Sequence, residues 1–190
     1  RKLRIWLLAE GEGLPITEDT RLMRMGMLAK YLSGQGHKVT WWSSTFLHGE
    51  KKYCFREHKE ILVNENERLI LLHVPVSYKK NMSLRRIVYH QLLSKQFAVH
   101  SRKKHTPDII LCAWPIPQFA REAISFGKRE EIPVILDARD MWPDIYVRAF
   151  PRKLARLAEG MLIPMKISTS RIFGSVDGLT GITPAMVQWA

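Results

Sequence analysis

Residues 108–144 read DIILCAWPIPQFAREAISFGKREEIPVILDARDMWPD, and this stretch decides the fold class. Two short apolar runs, 108–113 and 133–136, bracket a segment at 117–126 in which Phe119, Ala120, Ala123 and Ile124 recur at helical spacing. A strand, a helix and a second strand in that order predict a βαβ unit with parallel strands and a right-handed crossover.

The beginning of the chain repeats the pattern. Residues 3–9 form an apolar run that ends at Glu10 and Glu12, too short for a membrane span and best read as a first core strand. The turn EGEGLPITEDT follows, and then 20–33 sets Met25, Leu28, Ala29 and Leu32 on one helical face before Gly34 and Gly36. Residues 37–44, HKVTWWSS, give a second strand. Its Trp41 and Trp42 must point to opposite faces, so both faces of the sheet are covered.

Elsewhere the pattern is looser. Residues 51–66 suggest short strands or loops, 68–74 a strand closed by Pro75, and 82–101 a long helix carrying Leu84, Val88 and Leu92 on one side, joined by Ile87 and Leu93. A partly helical segment at 154–168 is expected to break near Gly160 and Pro164, before a short strand at 179–182 and a turn at Thr183–Pro184. The expectation is one domain over residues 1–190, an open, mostly parallel α/β sheet of Rossmann type flanked by helices. A chain of this length buries roughly 70% of the surface its unfolded form exposes.

Composition narrows the function. Two cysteines make no disulfide framework and point to a reducing compartment. Thirty Lys and Arg against eighteen Asp and Glu leave a net charge of +12, which favours an anionic partner. Between Lys79 and His105 there are eight basic residues and no acid. Basic ends around apolar Leu84, Ile87, Val88, Tyr89, Leu92 and Leu93 suit an anionic membrane surface. No nucleic-acid-reading pattern accompanies that window, so nucleic acid is not expected as a partner.

In an open parallel sheet, ligands bind outside the carboxyl ends of the strands. Gly11 and Gly13, Ser43 and Ser44, Trp114 and Pro115, and Asp137, Arg139 and Asp140 are placed there. Gly11 and Gly13 allow a close backbone approach, but Ile16 stands where a dinucleotide fingerprint needs its third glycine, and no P-loop lysine follows. Arg139 suits a phosphate or carboxylate. Asp140 or Asp137 suits a substrate hydroxyl, while Asp137 with Arg139 also makes a plausible structural pair. Trp114 and Trp142 are candidates for lining a pocket or stacking on a sugar ring. No histidine stands at a metal spacing, and no serine sits in a nucleophile elbow.

Four stretches together resemble the N-terminal domain of two-domain GT-B glycosyltransferases, specifically the family-4 retaining enzymes of bacterial surface polysaccharide, lipopolysaccharide or capsule synthesis. They are KLRIWLLAEGEGLP, TRLMRMGMLAKYLSGQGHKVTWWSS, PVILDARDMWPD and SVDGLTGITPAM. The resemblance implies the acceptor-binding half of an enzyme that moves a sugar from a nucleotide-sugar to a polyprenyl-diphosphate-linked or other saccharide acceptor. It implies no metal or other cofactor, and a cytoplasmic enzyme peripheral to the inner face of the cell membrane. Donor binding falls mostly to a C-terminal domain that this chain does not include, so the chain alone is expected to be inactive. Gly11 and Gly13 are expected beneath the donor diphosphate, Arg139 and Asp140 at the reacting edge where many relatives have a histidine, and Trp114, Asp137 and Trp142 on the acceptor side. A non-enzymatic basic scaffold and the N-terminal half of a nucleotide-sugar epimerase remain as alternatives.

Overall fold

In a computed structural model, residues 1–17, 20–145 and 155–190 are described, without the side chains of Ala155, Arg156 and Ala158. Parts of the expected turn at 10–20 and helix at 154–168 therefore lie outside the described residues.

The central strand is β1 (Arg4–Leu8), in parallel register with β2 (Lys38–Ser44) on one side and β7 (Ile109–Trp114) on the other. The sheet extends through β6 (Glu67–Leu72) to the antiparallel edge strand β5 (Lys59–Asn64), and on the other flank through β8 (Val134–Ala138) to β9 (Gly178–Gly181). The order is β5-β6-β2-β1-β7-β8-β9, and a two-strand ribbon, β3 (Phe46–Leu47) with β4 (Lys52–Tyr53), stands apart. This is the open, mostly parallel sheet that the alternating pattern predicts.

The period-2 geometry of the strands divides the core. Ile5, Leu7, Val39 and Trp41 face helix α1 (Arg24–Gly34), with its Met25 and Ala29. Trp6, Leu8 and Trp42 face the opposite layer, built from α2 (Leu84–Ser101), α3 (Pro117–Glu130) and α4 (Ala155–Phe173). There Phe97 of α2 meets Trp6, Trp42 and Phe119 edge-on, at ring centroid distances of 6.0, 5.1 and 5.4 Å. Trp41 and Trp42 do take opposite faces, and both are fully buried.

Helix ends explain the boundaries. α1 starts at Arg24 rather than near Thr20 because the Glu12 carboxylate accepts a hydrogen bond from Met25 N at 2.9 Å, doing the work of an N-cap. Ser83 caps α2 by accepting from Arg86 N, Pro117 opens α3, and Thr183 caps the short α5 (Pro184–Trp189). The break expected in α4 is not seen. Pro164 lies inside a continuous helix, and the residue four positions before it, whose carbonyl its ring crowds, is Gly160, where no side chain opposes the adjustment.

The α2 face also differs from its expected form. Tyr89, Leu93 and Phe97 turn inward, whereas Leu84, Ile87 and Val88 are 80%, 54% and 48% exposed. The apolar positions of this helix thus divide between a core stripe and an outward patch at its N-terminal end.

Candidate functional site

The carboxyl ends of β1, β2, β7 and β8 share one edge, where two polar clusters form. The first locks the sheet. Asp137 lies inside β8 with its side chain 1% exposed, and its two oxygens accept hydrogen bonds from Arg24 (2.8–3.1 Å), Arg139 Nε (2.8 Å) and Thr180 Oγ1 (2.7 Å). Arg139 also pairs with Glu12, which caps α1. Burial alone would raise the Asp137 pKa, but hydrogen bonds from Arg139, Thr180 and Arg24 outweigh it and hold the carboxyl below its ordinary value. The cluster ties α1, β8, β9 and the first loop together as a structural tie.

The second cluster surrounds a groove of about 550 Å³, lined on one side by Asn81, Arg86 and His90 and on the other by Gln118, Asp140 and Trp142. Met82, Leu84 and Ile87 form an apolar wall beside the cationic end. Three buried polar atoms on this lining, Arg86 Nε, His90 Nε2 and Gln118 Oε1, have no hydrogen-bond partner within the protein. Burying such atoms unpaired costs about 1–3 kcal/mol each. Side chains that carry donors and an acceptor thus border one groove.

Behind this lining stands Glu10, immediately after β1. Its side chain is 3% exposed, with Oε2 3.8 Å from His90 Nε2 and Oε1 3.5 Å from the Tyr89 hydroxyl, which donates a shorter bond of 2.6 Å to Ser44. Burial pushes the Glu10 pKa up to about 7, only partly opposed by Arg86, Lys51 and Tyr89. Burial, with Arg86 and His48 nearby, pushes His90 down to about 3. Lys51 donates to Asn81 Oδ1 at 2.7 Å and approaches His48, whose Nδ1 lies 2.6 Å from the Tyr78 hydroxyl.

The sequence-expected residues part ways here. Asp140 and Trp142 line the groove. Asp137 and Arg139 lie in the tie, with Asp137 in the strand rather than on the loop after it. Trp114 is fully buried at the end of β7, packed edge-on against Trp142 and Phe173 at 5.6 and 5.0 Å. Gly11 has φ +90°, and a Cβ at Gly13 would lie 2.8 Å from the Arg21 carbonyl oxygen, so both glycines meet local backbone demands. Glu10, Arg86, His90 and Gln118 were missed. Arg86 read as one of the eight cations of the basic window, His90 as an unremarked position within it, and Glu10 as the start of a turn. The placement of Glu10 after an apolar strand was the available signal for it.

Among the described residues, no group of three or more His, Cys, Asp or Glu is arranged to hold a metal, and no helix is long and apolar enough to cross a membrane.

No family model matches the chain, and no curated protein does. Solved structures do match. One is sucrose-phosphate synthase from Thermosynechococcus elongatus, at TM-score 0.58 and 13% identity, covering 94% of this chain and 42% of that one. The chain thus spans about two fifths of the length of that relative. At this identity the likeness establishes a GT-B-like N-terminal Rossmann fold.

Proposed function

We propose that this chain is the acceptor-binding half of a glycosyltransferase, and that the groove between the N-terminus of α2 and the loops after β7 and β8 holds a saccharide acceptor linked to a polyprenyl diphosphate. The observation that carries this reading is the gathering of Arg86, His90, Gln118, Asp140 and Trp142 around one groove at the carboxyl edge of the sheet. A mixture of donors and an acceptor suits sugar hydroxyls, which both give and take hydrogen bonds, whereas phosphate oxygens only accept. Trp142 offers an aromatic surface for a sugar ring, and Arg86 with Lys51 supplies positive charge for a diphosphate. Asp140, the remaining acid on the lining, is assigned to a hydroxyl of the acceptor.

On this reading a nucleotide-sugar is the donor, bound mostly by a second domain, with Gly11 and Gly13 bordering the space for its diphosphate. The family-4 assignment and retention of anomeric configuration rest on the sequence resemblance. Binding of farnesyl-diphosphate-linked N-acetylglucosamine to the chain tests the acceptor role. Arg86→Ala is expected to weaken it about 10- to 100-fold, the worth of a charge-assisted hydrogen bond. Affinity within twofold of the parent removes Arg86 from the site.

An anionic membrane is the proposed partner surface, at the inner face of the cell membrane. Met82, Leu84, Ile87 and Val88 stand exposed at the same edge as the groove, beside Lys79, Lys80 and Arg85. The far end of the basic window contributes less, because Lys104 already pairs with Glu60 at 2.5 Å. Three cations near the surface supply about 3 kcal/mol of attraction to anionic lipid. Sedimentation with phosphatidylserine vesicles should show binding that weakens with added salt and with Leu84→Ser/Ile87→Ser. Equal binding to neutral phosphatidylcholine contradicts the electrostatic part.

A further inference from the structure

Glu10 stands behind the groove with its side chain 3% exposed, and among the described residues its carboxylate has no close hydrogen-bond donor. The Tyr89 hydroxyl, 3.5 Å away, gives its single proton to Ser44 at 2.6 Å, and His90 Nε2 stands off at 3.8 Å. The other buried acids of this edge are better supplied. Asp137 has two arginines and a threonine, and Glu12 has Arg139 and a helix amide. What favours the charged form of Glu10 is chiefly the field of Arg86 and Lys51. Neutral groups hold those two cations in place. Asn81 accepts from Lys51 Nζ through its side chain at 2.7 Å and from Arg86 Nη1 through its carbonyl at 3.1 Å, and the Tyr78 ring lies 4.8 Å from Lys51 Nζ and 5.8 Å from Arg86 Cζ.

We propose that Glu10 is the exchangeable counter-charge of the groove, a carboxylate that balances Arg86 and Lys51 in the free chain and takes up a proton from solvent when the acceptor's diphosphate pairs with those cations. This rests on the acceptor reading above and adds a proton linkage to it. A residue fixed in the ionised state behind the groove would repel the diphosphate, whereas a fixed neutral one would leave two neighbouring cations without compensation in the free chain. A sealed carboxyl that titrates meets both demands. No bond of the ligand changes, and no protein group takes a proton from it.

The sign follows from the charges. Glu10 is approached by Tyr89, Arg86 and His90 from α2, by Lys51 from the turn of the ribbon, and by Tyr78 from the loop before α2, with His48 beside Lys51 and Asp140 on the opposite wall of the groove. Burial raises Tyr78 and Tyr89 and lowers His48 and His90, so at neutral pH and above these four are uncharged. Lys51 is lowered by burial and by Arg86, which sets pH 8 as the upper end of the comparison. Glu10 itself titrates at about 7 in the free chain, and a nearby diphosphate raises it further, because a like charge disfavours the ionised form. Affinity is therefore highest below the free-chain midpoint and falls as pH rises through it, by about tenfold at most between pH 6 and 8 for one proton.

The test is calorimetric titration of the chain with farnesyl-diphosphate-linked N-acetylglucosamine at pH 6, 7 and 8, in buffers of different ionisation enthalpy. The probe is a diester whose phosphates keep their charge throughout this range. The expected result is a fall in affinity of about five- to tenfold from pH 6 to 8, with uptake of about half a proton or more per acceptor near pH 7.5. Glu10→Gln, which mimics the protonated carboxyl in size and charge, should bind within about twofold of the parent at pH 6, take up no proton, and bind more tightly than the parent at pH 8. In NMR of the labelled parent, the Glu10 carboxyl midpoint should move up when the probe is added. Binding that does not change with pH, a pH dependence that persists in Glu10→Gln, or a Glu10 midpoint that the probe leaves in place overturns the linkage and leaves the acceptor reading standing. Absence of binding at every pH removes the acceptor reading and the linkage with it.

Discussion

Asp137→Ala is expected to cost the fold about 3–5 kcal/mol, the usual result of removing one partner from a buried charge cluster. Arg139, with a side chain 19% exposed, then faces Glu12 alone, and Thr180 loses its acceptor. The Arg24 arm contributes less, since its side chain is 40% exposed and solvent screens it. In thermal melts this appears as a loss of roughly 10 °C or more for a chain of this size. The pH dependence has a definite sign. The Asp137 pKa is lower in the folded chain than in the unfolded one, so its stabilisation is fully present above the unfolded value and is lost as pH falls through the folded value. The gap between parent and variant should therefore hold at neutral pH and close in acid. A constant gap down to the acid limit would show that packing, not charge, sets the cost. Because the tie fixes the loop carrying Glu12 and the segment that leads to Asp140, the same variant should also blunt acceptor binding.

Phe97→Ala should cost a similar amount, about 3–5 kcal/mol, for a different reason. Phe97 is fully buried at the centre of an aromatic group that includes Trp6, Trp42, Phe119 and Phe126, and truncation leaves a cavity that these large rings close poorly. It is also the contact that seats α2 on the sheet. Arg86 and His90 lie two to three turns before it on the same helix, so loosening the seat should weaken binding at the groove together with stability. Phe97→Leu, which refills most of the volume, should recover the greater part of both. Recovery of stability without binding would mean that α2 does not position the groove.

The sheet was legible in the sequence because its signals are local. Alternation at Trp41 and Trp42, the apolar runs at 108–113 and 133–136, and the helical spacing of Phe119, Ala120, Ala123 and Ile124 each follow from geometry within a few residues. The edge of the sheet was legible only as a location. Which side chains meet there depends on pairings that cross the sequence, such as Arg24 with Asp137 or Glu10 with His90. Arg139 and Asp137 stood out as candidates for chemistry because of their charge, and in the fold they pair with each other and with Glu12, Arg24 and Thr180. Glu10 was read only as the end of an apolar run, although burial after β1 makes it the more unusual acid. The face of α2 was misjudged for a related reason. Leu84, Ile87 and Val88 share its helical spacing with the core residues, and only the docking of Tyr89, Leu93 and Phe97 decides which stripe turns inward.

On the proposed reading this edge faces a second domain, and the groove is what this chain brings to it. A crystal structure of the chain with farnesyl-diphosphate-linked N-acetylglucosamine would test that most directly. The account predicts electron density in the groove, the sugar against Trp142 and within hydrogen-bond distance of Gln118 and His90, the diphosphate beside Arg86, and the farnesyl chain running out past Leu84 and Ile87. Density for the sugar at Gly11 and Gly13 or on another face, with the groove left empty, would contradict it.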